Sequence, residues 1–304
     1  MTPSTPAAIN HDDIRTRFIF DDMPVRGLHV RLENVWQHIA RQKHYPAAIR
    51  RALGELLAAG TLLSSNLKID GTLIMQVQGQ GRLKMLVVEA TSEQTVRATA
   101  RWDESADIAD DESLTGLLGE NGVFVMTLQP KDAEPWQGVV PLEGDSIAHM
   151  LVNYMKRSEQ LDTHIVLTAS DAGVGGLLVQ RLPEEEIDAE AWNHVSTLAQ
   201  TVTDSELTGL DAQHVLYRLF HETPPRVFEP EHIEFACTCS RGKVSDMLLM
   251  LGGEEVGGVV AEQGSIAVDC DFCHEKYVFD ETDVNALFGA NVVSAVRQEA
   301  QRIQ

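Results

Sequence analysis

Cysteine is scarce in this chain: four in 304 residues, all between Phe235 and Asp280. That argues against a fold stitched throughout by disulfides, the habit of small secreted domains. Basic residues are short too, 24 Lys and Arg against 46 Asp and Glu, for a formal net charge of −22. Nucleic acid and anionic membrane surfaces both want a basic face, so neither is expected as a partner, and the charge reads as a source of solubility. No apolar run approaches the ~20 residues of a membrane-spanning helix. The opening stretch, Met1 to Arg17, is polar and holds two aspartates, unlike a secretory signal. With the cysteines confined to paired motifs, a reducing cytoplasm is the expected location.

Catalytic apparatus is missing as well. No Ser–His–Asp set, Walker loop or convincing carboxylate pair stands out, and the eleven histidines are scattered. Gly79-Gln80-Gly81 has no helical pattern or Lys-Ser pair behind it and reads as a hairpin turn. The glycine turn from Asp171 to Gly176 is likewise no dinucleotide fingerprint.

What is present is concentrated in one stretch. Cys237 and Cys239 form a C-x-C pair, Cys270 and Cys273 a C-x-x-C pair, with thirty residues between Cys239 and Cys270. Cysteines one or two residues apart turn their sulfurs to one point, so each pair fills half a shell and the loop brings the halves together. Two such pairs suit a tetrahedral four-thiolate zinc site. The shell is closed, with no position for a catalytic water, so hydrolytic zinc chemistry is disfavoured. His274 follows Cys273 directly, is left no role by a full shell, and reads as a surface histidine. A structural zinc knob and a redox sensor both remain open, because metal-bound thiolates are already deprotonated and oxidisable. A thioredoxin-like dithiol at Cys270 and Cys273 would want a strand-then-helix setting. The motif lies instead between strand-like runs, Ser265 to Val268 and Tyr277 to Phe279.

The rest of the chain divides by pattern. Strands are expected at 14–20, 25–32, 72–78, 82–89, 95–100, 123–128, 137–140, 164–169 and 175–182. Helices are expected over 33–44, from Pro46 through Ile49, Ala52, Leu53, Leu56 and Leu57 and extending past Gly60, and from Asp145 or Ser146 to Ser158-Glu159-Gln160. Residues 1–182 thus read as one α+β domain of antiparallel sheets and packed helices. Glu184 to Glu234 carries twelve acidic and two basic residues, yet keeps helical stripes. These are Trp192, Val195, Leu198 and Val202, then Leu207 and Leu210 behind a Thr203–Glu206 capping box, then Val215, Leu216, Leu219 and Phe220 behind Asp211. Residues 183–230 form a helical acidic linker, either a segment poised between order and disorder or an ordinary connector. Residues 231–304 form a small C-terminal unit, of a size that often needs a metal or disulfides. In it Ser245 to Leu251 reads as a helix, Val256 to Ala261 and 265–268 as strands, and 283–301 as a terminal helix. The lead, 1–11, reads as disordered.

Together, Cys237-Thr-Cys-Ser-Arg241 and Cys270-Asp-Phe-Cys273, with Tyr277 and Phe279 beyond, resemble the redox-regulated 33 kDa heat-shock chaperonin family. Trp136 to Leu142, Ser158 to Gln160 and Leu251 to Val256 extend the resemblance over nearly the whole chain. It implies an ATP-independent holdase, not an enzyme, that binds unfolding proteins, works as a homodimer and lives in the bacterial cytoplasm. It implies one zinc ion on Cys237, Cys239, Cys270 and Cys273 in a reduced, inactive form. Oxidation would form the disulfides Cys237–Cys239 and Cys270–Cys273, release zinc and unfold the C-terminal unit and linker. The rivals are a constitutive zinc-stabilised scaffold and a dithiol oxidoreductase.

Overall fold

The computed structural model describes residues 13–65, 67, 70–182 and 188–289. The expected lead at 1–11 and the terminal helix beyond 289 lie outside them. The chain forms two compact units, Met1–Ala236 and Cys237–Gln304.

The first unit is α+β, with two antiparallel sheets and helices. Strand β1 (Asp13–Ile19) pairs with β2 (Val25–Leu32). Helices α1 (Asn34–Ala40) and α2 (Ala47–Ser64) follow. Next come β3 (Gly71–Gln78), β4 (Leu83–Thr91), β5 (Thr95–Trp102), the short α3 (Leu114–Leu118), β6 (Val123–Pro130) and β7 (Trp136–Pro141). Helix α4 (Ile147–Tyr154) runs into a π-helical turn, Met155–Glu159, ended by Gln160 in the left-handed region. Strands β8 (Thr163–Ala169) and β9 (Val174–Arg181) complete the main sheets. The first sheet holds β1-β2-β9-β8 in that order, and the second β5-β4-β3-β6-β7. Ser113 and Ser146 cap α3 and α4 with side-chain oxygens, as serine does at helix starts.

Helix α2 is the axle of this unit. Fourteen of its 18 residues are buried, and it touches strands of both sheets. Such closeness needs small residues at the contacts. A methyl group at Gly54 would meet Ala169 Cβ at 2.6 Å, and one at Gly60 would meet Val88 Cγ1 at 2.7 Å. The helix therefore passes Gly60, as its pattern predicts. Strand β9 is buried on both faces. Val174 and Leu178 join the main core with α2, whereas Leu177 and Val179 join a second core beneath α5 (Ala189–Gln200), α6 (Asp204–Gly209) and α7 (Ala212–Phe220). The expected stripes supply that core: Val195, Val202, Leu207, Val215, Leu216, Leu219 and Phe220 are buried, and Trp192, Leu198 and Leu210 are partly so. The Thr203–Glu206 capping box is formed, and Asp211 accepts the His214 N–H.

Three two-residue strands then cross the edges of both sheets. β10 (Arg226–Val227) and β11 (Glu231–His232) pair antiparallel with β1, and β12 (Glu234–Phe235) pairs parallel with β5. Sequence period gives no sign of them, because two residues carry no alternation.

In the second unit α8 (Arg241–Leu251) and α9 (Gly253–Gln263) precede a hairpin of β13 (Ser265–Asp269) and β14 (Lys276–Asp280), and 281–289 is helical. The expected strand at 256–261 is thus a helix. Its valines are β-branched, but Val256 and Val260 lie one turn apart on the buried face, and Glu254 and Glu255 suit the first turn. Among the described residues its core is Leu248, Val256, Val260, Phe279 and Val284, with partly buried hydrophobics such as Val244, Ile266, Leu287 and Phe288 packed against it.

Candidate metal centre

All four cysteines converge in the second unit. Cys237 and Cys239 lie just before α8, whose N-cap is Ser240, with Oγ accepting the Lys243 N–H. Cys270 and Cys273 sit in the turn between β13 and β14. That turn is closed by the Cys270 N–H to Glu275 O at 3.0 Å and the His274 N–H to Cys270 O at 2.9 Å. His274 takes φ 56°, the left-handed value that folds the chain back on itself. Backbone N–H groups of Cys273 and Phe272 donate to Cys270 Sγ, and that of Glu275 donates to Cys273 Sγ. Such donors favour sulfur as thiolate.

The four Sγ atoms lie within 4.8 Å of one another, and all four residues are half-buried. Cys237 Sγ stands 3.6 Å from Cys270 Sγ, and Cys239 Sγ 3.4 Å from Cys273 Sγ. A disulfide bond is ~2.0 Å long. Four sulfurs ~2.3 Å from a central ion would be ~3.8 Å apart along each tetrahedral edge, so the cluster is close to the required size. Electrostatics agree with a cation there. Burial pushes the Cys273 and Cys270 thiols upward, against the pull of the N–H donors. A divalent ion among the sulfurs supplies the charge that thiolates need. The donor set, the spacing and the hydrogen bonds therefore fit zinc, and Cys237, Cys239, Cys270 and Cys273 are the residues that would hold it.

Two further side chains brace the cluster. The Tyr277 hydroxyl donates to Cys239 Sγ at 3.2 Å. Arg241 lies over the Phe279 ring at 4.1 Å, donates to Val278 O at 2.8 Å and pairs with Asp283 Oδ2 at 2.7 Å. It thereby ties the start of α8 to β14 and to the helix at 281–289. His274 is not the expected surface residue: it is half-buried, and its Nε2 is shielded with no partner among the described residues.

An α+β body of two sheets, followed by a small unit with four convergent cysteines, defines the class. The family is then fixed by comparison: the chain belongs to the Hsp33 protein family, whose model matches residues 13–280. It is 83% identical over 290 residues to the 33 kDa chaperonin of Neisseria meningitidis serogroup A, covering 95% of this chain and 96% of that protein. It is 51% identical over 292 residues to the 33 kDa chaperonin of Chromobacterium violaceum, covering 95% and 98%. Its fold matches the crystal structure of the Thermotoga maritima 33 kDa chaperonin at 24% identity, with a TM-score of 0.81 over 92% of this chain and 99% of that one. Among the described residues no helix is long and apolar enough to cross a membrane.

Proposed function

We propose that the chain is a redox-regulated, ATP-independent chaperone that holds unfolding proteins in the cytoplasm and acts as a homodimer. Family membership supports the chaperone role. The observation that carries the regulation is the pairing of a four-sulfur cluster with a small unit in which five apolar side chains are buried among the described residues. When bound, zinc would hold the four sulfurs as thiolates and add stability on the order of 10 kcal/mol. That is comparable with the whole net stability of a small domain.

The chain's own residues do the rest. The thiolates of Cys237 and Cys239, and those of Cys270 and Cys273, each give up two electrons to form one S–S bond. One peroxide per pair takes up those electrons with two protons from solvent and becomes two waters, and zinc, its thiolates gone, would be released. The unit then loses the metal's contribution, which is comparable with its whole net stability, and opens. Residues 183–230 act as the linker that follows it into disorder, and the stripes of α5–α7 become apolar surface for clients. The carboxylates of the linker keep the opened chain in solution.

The test is light scattering from a thermally unfolding client, without ATP, with reduced zinc-loaded protein and with peroxide-treated protein. Suppression only after peroxide is the expected result. Suppression by both forms, or by neither, would leave the cysteines as a structural knob.

A further inference from the structure

Residues 226–235 lie across the open edges of both sheets as an extended segment, and their side chains alternate. Glu231, Ile233 and Phe235 point inward, and His232 and Glu234 outward. Ile233 is 3% exposed and sits in the main core, and Phe235 packs on His38 with ring centroids 4.3 Å apart. Glu231 meets Arg15, whose Nε donates to Glu231 Oε2 at 2.8 Å and whose Nη2 lies 2.6 Å from the same oxygen. The Arg15 side chain is 5% exposed, and its Nη1 is held by Thr61 O and Ser64 Oγ at 2.7 Å each. The guanidinium is therefore fixed in place whatever lies over it. Main-chain bonds complete the seat. Ile233 N–H donates to Asp13 O and Glu234 N–H to Gln94 O, both at 3.0 Å, and Ala236 N–H donates to Val96 O at 3.3 Å.

These are the components of β-strand addition: sheet-edge hydrogen bonds for affinity, alternate side-chain seats for selectivity. We propose that this seat is a receptor for extended client segments of the pattern acidic–x–aliphatic–x–aromatic, and that Glu231-His232-Ile233-Glu234-Phe235 is its resident occupant. The buried Arg15 is the selective element, since a partner without a carboxylate would leave a desolvated cation unpaired. The segment competes from within the same chain. Docked α5–α7 on one side keep its effective concentration high, and loosening them makes the tether long and flexible and lowers it. The inference rests on the proposed opening only for the event that empties the seat.

The test uses the full chain and a fluorescent peptide copying residues 226–236. A Glu231→Gln, Ile233→Ala double variant weakens the resident segment without touching the cysteines. In its reduced, zinc-loaded form, exchange of the Ile233 and Glu234 amides should quicken and the peptide should bind. A peptide with Gln at position 231 should bind about tenfold more weakly or worse. Reduced wild-type protein should bind neither peptide. Amides that stay protected, equal binding of both peptides, or no binding once the amides exchange would each overturn the proposal. So would assembly into dimers that exclude the peptide, which would make a second copy's segment the occupant. If the double variant does not fold, peroxide-treated wild-type protein with the same two peptides decides. Client holding with no discrimination between the peptides there refutes the receptor and leaves the chaperone reading intact.

Discussion

His29 stands on β2 with its side chain fully buried, and neither ring nitrogen has a partner among the described residues. Burial lowers its pKa from 6.5 to about 4; Asp211 pulls it back up and Arg31 pushes it further down. Below pH 6.5 the unfolded chain takes up a proton that the folded chain refuses. Stability is therefore full above that value and is lost toward pH 4, by about 3 kcal/mol in all. Glu55 acts in the opposite sense. Burial raises it to about 7, so its cost to the folded chain grows as pH rises through that value. His29→Leu should remove the acid limb alone. Urea unfolding of the first unit at pH 7 and pH 4.5 should show a smaller drop in the variant than in the parent, and an unchanged drop would place the acid sensitivity elsewhere. At this scale the four sulfurs were legible because spacing within each pair is local. The bracing contacts of Tyr277 and Arg241 were not, because their partners Cys239 and Asp283 lie 38 and 42 residues away.

At the scale of the element, α2 is set by two opposed demands. Alanine favours a helix over glycine by ~1 kcal/mol, but a methyl at residue 54 would lie 2.6 Å from Ala169 Cβ and 2.8 Å from Val174 Cγ1. Overpacking of that kind costs ~1–3 kcal/mol. Gly54→Ala should therefore lower Tm, with a net loss of roughly 1 kcal/mol after the helix gain; a rise in Tm would mean that helix and sheet have room to part. Long periodic elements such as α2, and capped ones such as α6 and α7, were legible because their signals repeat or sit at fixed offsets. Helix α9 was misread because Val-Val-Ala beside Gly257 and Gly258 favours a strand locally, and only the unit's core selects the helix. Strands β10–β12 were invisible because pairing with β1 and β5, rather than any pattern of their own, makes them strands.

At the scale of the whole molecule, two cores differ in what holds them. The first unit rests on α2 and two sheets, the second, among the described residues, on a small apolar cluster around Leu248 and Phe279 and on the four sulfurs. Removing metal from reduced protein with a chelator should make residues 237–304 readily cleaved and, as the linker follows, leave a protease-resistant fragment ending near Leu182. Equal resistance before and after chelation would mean that the small core suffices. The α+β class was legible because helical and strand periods alternate along the chain.

Two sulfur contacts run between the pairs: Cys237 with Cys270, and Cys239 with Cys273, 33 and 34 residues apart. A bond across either contact would close a ring of that size and strip the unfolded chain of ~4 kcal/mol of entropy. A bond within C-x-C or C-x-x-C closes a ring of three or four residues and strips about half as much. Zinc on all four sulfurs is thus a long-range cross-link, and the proposed disulfides are short-range ones. Exchanging the first for the second returns to residues 240–269 the freedom of an unclosed loop, so the oxidised chain gains entropy by opening even though it has acquired two covalent bonds.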